Sequence, residues 1–413
     1  MNETNDKYQL HRMMYEFVRV SEDPQLKLGA EWLGSVFQAV EEGRPIAYHP
    51  FTMFSEVMVA LDIQSICCEG WDIIAMTADP QHPIASMDTA RDAGIPEDLC
   101  SFDKAIIGSV MRETIPPPTM IVLSATPCQN AAITYQAVAE LTGAPLWVSD
   151  SPYNLNQEGA MDYWVHQYQG LIGFLEQNSG KKMDYDRLRE VLEESNRCVE
   201  YWLEGMELMK LKPTPWTGPF GVGTFAGITM FGTPSATAAV KAVHDQIKDR
   251  VNRGETAIPE EKLRAIFFHL MPSWDQALVF WLGQQGVAIP FMVFDDYRVE
   301  PVDTSTPESM VKGMARRALN TPMGKLGRGA FNEYINDMLY AIAEWKGDCV
   351  VICAHPGCKW MTGGYSLIKD ACHKRDIPLL VYDIDLADPR ITSAEESRSI
   401  LSDFVATIVD RTA

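Results

Sequence analysis

Eight short apolar runs recur along the chain, and each is followed by polar or turn-forming residues. They are the candidate strands Ile46–Tyr48, Ser65–Cys67, Met120–Ser124, Leu146–Val148, Ala265–Leu270, Ala288–Val293, Val350–Cys353 and Leu379–Tyr382. Stretches with apolar residues at helical spacing separate these runs, for example Asn130–Leu141 and Thr233–Arg253. Strands that alternate with helices in this way are typical of parallel sheets with helical crossovers.

The candidate strands fall into two groups, which indicates two α/β domains of the same kind. We predict two similar Rossmann- or flavodoxin-like parallel-sheet domains, at 45–155 and 259–413, with added helical segments. Helical patterns fill 1–44 and 156–258, so we expect an N-terminal helical segment and a helical connecting region there. The Gly-rich run 218–227 (GPFGVGTFAG) lacks the phosphate-binding pattern GxxxxGK[ST] and follows no clear strand, so it is predicted to be a loop.

The composition is that of a soluble globular protein, with 46% hydrophobic and 22% charged residues in a chain of 413. No apolar run approaches the ~20 residues that a membrane-spanning helix needs, and the polar N-terminus does not resemble a signal peptide. We therefore expect a cytoplasmic protein without a membrane partner. The formal net charge of −21 disfavours nucleic-acid binding, which depends on Lys and Arg side chains.

One basic stretch interrupts this acidic background between residues 312 and 328. It carries Lys312, Arg316 and Arg317, and it contains no Asp or Glu. The stretch is either a solvated face or a local patch that attracts an anionic substrate despite the net charge.

The nine cysteines include no CxxC pair, and a reducing cytosol argues against a disulfide framework. Most are expected to be small buried residues, but three stand out by position. Cys128 and Cys358 each lie past a strand and before a helix, and Cys100 lies at a probable helix start. Because a helix N-terminus stabilises a thiolate, these three could bind iron and leave one iron of a [4Fe–4S] cluster open. The alternative is that they are structural.

Several polar residues lie close to the strand ends. His49 follows the first strand and is a candidate lining residue of a pocket, and His355 either orients a ligand near Cys358 or is an ordinary loop histidine. The acidic turn before Pro389 is predicted to be capped by its own carboxylates rather than to bind a cation; these are Asp383, Asp385 and Asp388.

The three cysteines also belong to an ordered set of motifs. Cys100, Cys128 and Cys358 lie in DLCSF, TPCQN and GCK, which follow EEGRP and precede DIDLADPR. This order resembles the 2-hydroxyacyl-CoA dehydratase D-component family, which also includes the subunits of ATP-dependent benzoyl-CoA reductase. The resemblance covers most of the chain. It implies one oxygen-sensitive [4Fe–4S] cluster per chain, held by the three cysteines.

The resemblance also implies partners and a reaction. The partners are a related subunit (in a heterodimer or a homodimer), a separate ATP-hydrolysing activator that injects one electron, and an acyl-CoA substrate. The reaction is the elimination of water from a 2-hydroxyacyl-CoA through a ketyl radical. Glu69 matches in position the glutamate that lines the dehydratase substrate site, and His49 is the second candidate catalytic residue. The candidates for contacting the CoA phosphates are Lys312, Arg316 and Arg317.

The sequence departs from the family pattern near its first two strands. His49, Pro50 and Phe51 stand where the dehydratases have Ser or Thr, and Cys68 stands before Glu69 where they have Pro. This leaves open an aryl-CoA reductase of the benzoyl-CoA type and a non-catalytic electron-transfer subunit. It also leaves open a homodimer with a double-cubane cluster, for which further thiolates are available at Cys67, Cys68 and Cys353.

Overall fold

The computed structural model describes residues 7–51, 55–125, 128–326 and 329–412, in which two four-stranded parallel sheets are surrounded by helices. All eight predicted strands are present. The first sheet contains β1 (Ile46–His49), β2 (Gln64–Cys67), β3 (Met120–Ser124) and β4 (Leu146–Ser149). The second contains β5 (Leu263–Phe267), β6 (Val287–Met292), β7 (Cys349–Ala354) and β8 (Leu379–Asp383). The predicted α/β fold with two similar sheets is confirmed.

The two sheets have the same topology. Their strand orders are β2-β1-β3-β4 and β6-β5-β7-β8, so each sheet has a switch point where the chain changes direction across the sheet. The switch points lie between β1 and β3 and between β5 and β7. Ligands of open parallel sheets bind outside the carboxyl ends of strands at such points. The residues after His49, Ser124, Phe267 and Ala354 therefore occupy the expected ligand positions.

Helices cover both sheets and form the segments between them. None of the helices in the described ranges is long and apolar enough to cross a membrane. The helices are α1 (Gln9–Val18), α2 (Pro24–Glu42), α3 (Glu56–Ala60), α4 (Cys68–Ala78), α5 (Gln81–Asp92), α6 (Ser101–Met111), α7 (Gln129–Thr142), α8 (Ala160–Ser179), α9 (Tyr185–Leu208), α10 (Gly221–Thr229), α11 (Pro234–Arg253), α12 (Leu278–Gln284), α13 (Pro307–Leu319), α14 (Pro322–Leu326), α15 (Phe331–Glu344), α16 (Lys359–His373) and α17 (Ala394–Thr412), with a 3-10 turn at Val293–Asp295.

Local sequence signals set the ends of the helices, as α2 illustrates. It begins at Pro24, and the carboxylate of Asp23 accepts hydrogen bonds from the backbone N–H groups of Gln25 and Leu26, both at 3.0 Å. It ends at Gly43, which has a φ of 65°. A capping carboxylate before a first-turn proline and a left-handed glycine after the last turn are the usual signals for a helix start and stop.

Both faces of the first sheet are buried, because successive residues of a strand point to opposite sides. On one face Tyr48 and Ile121 pack in a cluster with Trp32 of α2. On the other face Ala47 and Val122 pack in a cluster with residues of α8, α9 and α13. Strands buried on both faces have continuous apolar sequences, which explains why they are visible in the sequence.

The second sheet shares its core with the connecting helices. Ile266 and Val351 belong to the same hydrophobic cluster as Trp202 of α9 and Val240 of α11. In contrast, α13 lies within the predicted second domain but packs on α8 beside the first sheet. There the Trp164 indole N–H donates to the carbonyl oxygen of Ala315 at 2.7 Å. The predicted domain boundaries stay a prediction, because packing between the segments does not test where one domain ends and the next begins.

The prediction of a loop for the Gly-rich run was wrong, because Gly221–Thr229 form α10. Its glycines serve close packing rather than a turn. A Cβ atom at Gly223 would lie 2.6 Å from the indole of Trp202, and the neighbouring helix α9 contributes Gly205, where a Cβ would lie 3.0 Å from the Phe220 ring. Helices that approach this closely need residues without side chains.

Candidate active site where the two sheets meet

The three cysteines singled out from the sequence each cap a helix. Cys100 precedes α6, Cys128 precedes α7 and Cys358 precedes α16. The sulfur of Cys128 accepts a hydrogen bond from the backbone N–H of Ala131 at 3.4 Å. All three thiols therefore lie where backbone N–H groups and the helix dipole favour a negative charge.

Contacts between the loops bring these helix starts together. The side-chain amide of Asn130 in α7 donates to the carbonyl oxygen of Gly357 at 2.9 Å. Gly357 in turn lies against Cys100, since a Cβ atom on it would be 2.6 Å from the Cys100 Cα. Residues that follow β3 of one sheet and β7 of the other are thus joined at one place. Thr126 and Pro127, which directly precede Cys128, lie outside the described residues.

The electrostatic environment also links the three thiols. Burial raises the pKa of Cys100 well above its ordinary value, and the charges of Asp103, Cys128 and Cys358 raise it further. Burial, followed by the charge of Asp103, raises the pKa of Cys128 to about 12. The pKa of Cys358 is raised by burial and by Asp103, against the opposing effect of backbone N–H groups in α16. Burial therefore outweighs the effect of the helix N-termini, and in the absence of a cation the three sites favour neutral thiols.

Exposure separates these three cysteines from the other six. Cys100, Cys128 and Cys358 are partly exposed, whereas the rest are buried; the buried ones are Cys67, Cys68, Cys198, Cys349, Cys353 and Cys372. Buried cysteines usually act as small hydrophobic residues. The three cysteines singled out from the sequence are thus the ones that are not fully buried.

Three thiols at the starts of three helices are of the ligand type that iron–sulfur clusters use. Within the described ranges, no three His, Cys, Asp or Glu side chains are arranged to hold one ion. In a [4Fe–4S] cluster each thiolate binds a different iron, so the sulfur atoms need not converge on one point. Three accessible thiols with raised pKa values suit such a group, because iron displaces the thiol proton and its positive charge compensates the mutual repulsion of the thiolates.

Glu69 lies at the start of α4, directly after β2, and it is buried. Its carboxylate oxygen Oε2 lies 3.5 Å from the Cys67 sulfur and 3.4 Å from the Tyr135 hydroxyl, which are both donors. Burial raises the pKa of Glu69 to about 8, and the charge of Asp103 contributes further. Glu69 is therefore mainly protonated at neutral pH. Tyr135 belongs to α7, so Glu69 contacts the helix that begins directly after Cys128.

His49 is the last residue of β1, and its ring is fully buried. The ring nitrogen Nδ1 lies 2.9 Å from the carbonyl oxygen of Pro50. A carbonyl can only accept, so Nδ1 carries the proton and Nε2 presents a lone pair. Among the described residues Nε2 has no hydrogen-bond partner, and burial lowers the pKa of His49 to about 4. His49 is thus a neutral acceptor, paired in register with Cys67 of β2.

Two acidic residues of the site have contacts or effects that the sequence did not predict. Asp103, in the first turn of α6, is buried, and its charge raises the pKa of all three accessible thiols. Burial raises its own pKa to about 6. The second is Asp385, which accepts from the backbone N–H groups of Ala387 and Asp388 as the predicted turn cap and also faces His355. An acidic residue three positions after Cys100 was the available signal for Asp103.

The basic stretch is divided by the structure. Lys312 and Arg316 are exposed on α13, but Arg317 is buried. Its guanidinium donates to Glu56 at 2.9 Å and to the Ser195 hydroxyl at 2.8 Å. We therefore withdraw Arg317 as a contact for CoA phosphates, because an internal ion pair occupies it. Residues 327–328 of the stretch lie outside the described residues.

Comparison with known proteins gives consistent relatives. The chain is 23% identical over 367 residues to the (R)-phenyllactyl-CoA dehydratase alpha subunit of Clostridium sporogenes, covering 86% of this chain and 87% of that protein. It is 23% identical over 401 residues to the (R)-2-hydroxyisocaproyl-CoA dehydratase alpha subunit of Clostridioides difficile, covering 92% and 94%. It is 26% identical over 344 residues to a benzoyl-CoA reductase subunit of Thauera aromatica, covering 76% and 78%.

The fold is that of an α/β protein with two parallel sheets. Three partly exposed thiols and the buried carboxyl group of Glu69 lie near the carboxyl ends of its strands. The chain belongs to the family described as 2-hydroxyglutaryl-CoA dehydratase, D-component, whose model matches residues 52–408. The resemblance inferred from the cysteine motifs is thereby confirmed. The relatives are named as single subunits of their enzymes, so they are parts of multi-subunit enzymes.

Proposed function

We propose that this protein is the iron–sulfur subunit of a 2-hydroxyacyl-CoA dehydratase, which eliminates water from a 2-hydroxyacyl-CoA after one-electron activation. The observation that carries the proposal is the buried Glu69, whose Oε2 lies 3.4 Å from the hydroxyl of Tyr135 on α7, the helix that begins directly after Cys128. Water elimination needs a proton for the leaving hydroxyl group and a base for the β-proton. A carboxylic acid beside a redox centre meets both needs.

Cys100, Cys128 and Cys358 would hold a single [4Fe–4S] cluster. When bound, this group would supply one-electron chemistry and an open iron position that acts as a Lewis acid. The contribution of the three side chains is to keep the group at the strand ends of both sheets, where their helix N-termini favour thiolate.

Glu69 would handle both protons of the reaction. Its pKa of about 8 makes it a proton donor at neutral pH, so its carboxyl group gives its proton to the hydroxyl that leaves the α-carbon. The carboxylate that results is then the base that takes the β-proton. The Tyr135 hydroxyl, 3.4 Å from Oε2, can donate to that carboxylate and stabilise it between the two steps.

His49 would position the substrate rather than transfer a proton. Its unprotonated Nε2 can accept a hydrogen bond from the 2-hydroxyl group of the acyl chain. Its low pKa of about 4 makes it a poor proton donor at neutral pH. A buried acceptor without a partner is costly, so occupation by a hydroxyl group would relieve that cost.

The aryl-CoA reductase is the second candidate, and the match to the benzoyl-CoA reductase of Thauera aromatica favours it. A protonated Glu69 could also deliver a proton to a reduced ring. The unpartnered acceptor on His49 favours the dehydratase, because an unsubstituted ring has no hydroxyl group to donate. The double-cubane alternative has no such support, since the additional thiols it needs are buried; they are Cys67, Cys68 and Cys353.

We propose further that the chain works with a related subunit and with a separate ATP-dependent activator, as part of a multi-subunit enzyme. The exposed Lys312 and Arg316 are the remaining candidates for contacts with CoA phosphates. Positive side chains there would provide local attraction on a chain whose net charge is −21.

An anaerobic assay separates the two candidates. The complex purified without oxygen is supplied with activator, ATP and a low-potential reductant, and (R)-2-hydroxyacyl-CoA thioesters are compared with benzoyl-CoA. We expect 2-enoyl-CoA to form, and Glu69→Gln to lower its rate by about 10²–10⁴-fold, the usual worth of a general acid–base. Reduction of benzoyl-CoA without any turnover of 2-hydroxyacyl-CoA would replace the first proposal by the second.

A further inference from the structure

Cys100 differs from the other two accessible thiols in its hydrogen-bond partner. Its sulfur lies 3.2 Å from the ring nitrogen Nε2 of His355, a residue that follows β7 of the other sheet. Cys128 instead accepts from the backbone of its own helix, at Ala131. A side chain from the second sheet thus touches the thiol that belongs to the first.

On its other side the ring of His355 faces a carboxylate. Its Nδ1 lies 3.3 Å from Oδ2 of Asp385, and His355 is almost fully buried. Oδ1 of the same carboxylate accepts from the Ser101 hydroxyl at 2.5 Å and from the backbone N–H of Ala387 at 2.9 Å. Ser101 directly follows Cys100 in the chain. The Cys100 thiol, the His355 ring and the Asp385 carboxylate therefore lie next to one another where the two sheets meet.

Close packing keeps this arrangement in place. Gly357 lies between the two partners, because a Cβ on it would come within 2.6 Å of the Cys100 Cα and 3.0 Å of the His355 Nε2. The backbone N–H of Cys358 also donates to the carbonyl oxygen of His355 at 3.0 Å. The ring therefore has little freedom to leave the sulfur.

We infer that His355 is a positioning residue that donates a hydrogen bond to the Cys100 thiolate and sets the reduction potential of the group that Cys100 holds. A thiolate has no proton, so a hydrogen bond between the two atoms has to run from Nε2–H to sulfur. Hydrogen bonds to the sulfur ligands are among the factors that set iron–sulfur potentials. They stabilise the more negative, reduced state and so raise the potential.

This inference rests on the proposed cluster and adds an asymmetry to it. The sulfur of Cys100 would receive a side-chain hydrogen bond from the opposite sheet, whereas the sulfur of Cys128 receives a backbone hydrogen bond from its own helix. The reduction potential would thus depend on the packing of one sheet against the other, through one ring.

The test is an anaerobic redox titration of the cluster-loaded complex, followed by absorbance and EPR, on the parent, two substitutions of His355 and one control substitution. His355→Leu removes the donor, and we expect the reduction equilibrium to shift about tenfold towards the oxidised form, which is about 59 mV for one electron. His355→Gln retains an N–H donor, and we expect it to recover most of that shift. His244→Leu is the control, because it removes a buried histidine whose partners are Glu204 and Asp245.

The outcomes separate the inference from the proposed cluster. An unchanged potential in a loaded His355→Leu complex refutes the role of His355 alone, and so does an equal shift in the Leu and Gln variants. If His355→Leu fails to hold iron, retention of iron in His355→Gln with a nearly parental potential supports the inference, and loss of iron in both refutes it. A parent protein without iron refutes the cluster itself.

Discussion

Glu69→Gln is expected to make the protein more stable above pH 5 while it removes the proton donor of the site. The carboxyl group has a pKa of about 8 in the folded chain, against an ordinary value of 4.5 that applies when it is unfolded. Below pH 4.5 it is protonated in both states and contributes no pH dependence. Between pH 4.5 and 8 the unfolded chain ionises and the folded chain does not, so the parent loses stability as the pH rises.

The magnitude follows from the same pKa difference. Each pH unit in that window costs about 1.4 kcal/mol, so at pH 7 the penalty is about 3 kcal/mol. The glutamine is neutral at every pH and its amide oxygen can still accept from Tyr135, so the variant avoids the penalty. We expect the gain in the free energy of unfolding to be absent near pH 4.5, to grow through neutral pH and to level off above pH 8.

Denaturant unfolding of the iron-free protein at several pH values measures this difference. Glu200→Gln is the matched control, since it makes the same chemical change on an exposed face of α9. A Glu69→Gln difference that stays constant from pH 5 to pH 8 would show that Glu69 is ionised in the folded chain. Its assignment as proton donor would then fail as well.

Two further substitutions test the packing around the site. Gly357→Ala would place a Cβ atom 2.6 Å from the Cys100 Cα, so we expect it to destabilise the fold by about 1–3 kcal/mol and to lower the iron content. Gly363→Ala, with nothing within 4 Å of the new Cβ, should leave iron unchanged, and equal iron loss in both would contradict this account. Arg317→Met leaves the buried Glu56 without its partner, so we expect the free energy of unfolding, measured with denaturant, to fall by about 3–5 kcal/mol. The KM for acyl-CoA should stay unchanged. A raised KM at parental stability would instead show that Arg317 contacts the substrate.

The strands and the capping cysteines were predictable because their signals are local. A strand buried on both faces has a continuous apolar sequence, as Met120–Ser124 does, and a thiol between a strand and a helix is visible in the sequence alone. The strand β5 ends at Phe267 rather than at the predicted Leu270, because the apolar sequence continues after the ladder has ended. The fold class needed only these local patterns.

The remainder depends on contacts between distant parts of the chain. His355 was expected near Cys358, its neighbour in sequence, but its ring contacts Cys100, 255 positions away. Arg317 has the same local pattern as the exposed Arg316, and only the packing of α13 on the first sheet shows which of the two is buried. The glycine-rich sequence of α10 is typical of a loop. Only the close packing of Gly223 against the ring of Trp202 explains why glycine is needed in this helix.

The central claim is that Cys100, Cys128 and Cys358 hold a [4Fe–4S] cluster, and iron and sulfide analysis of anaerobically purified protein tests it most directly. We expect about four irons and four sulfides per chain, loss of both in Cys358→Ala, and parental values in the control Cys372→Ala, whose thiol is buried in α16. About eight irons per chain would favour the double-cubane alternative. A parent without iron, or a Cys358→Ala variant with its full complement, would contradict the claim.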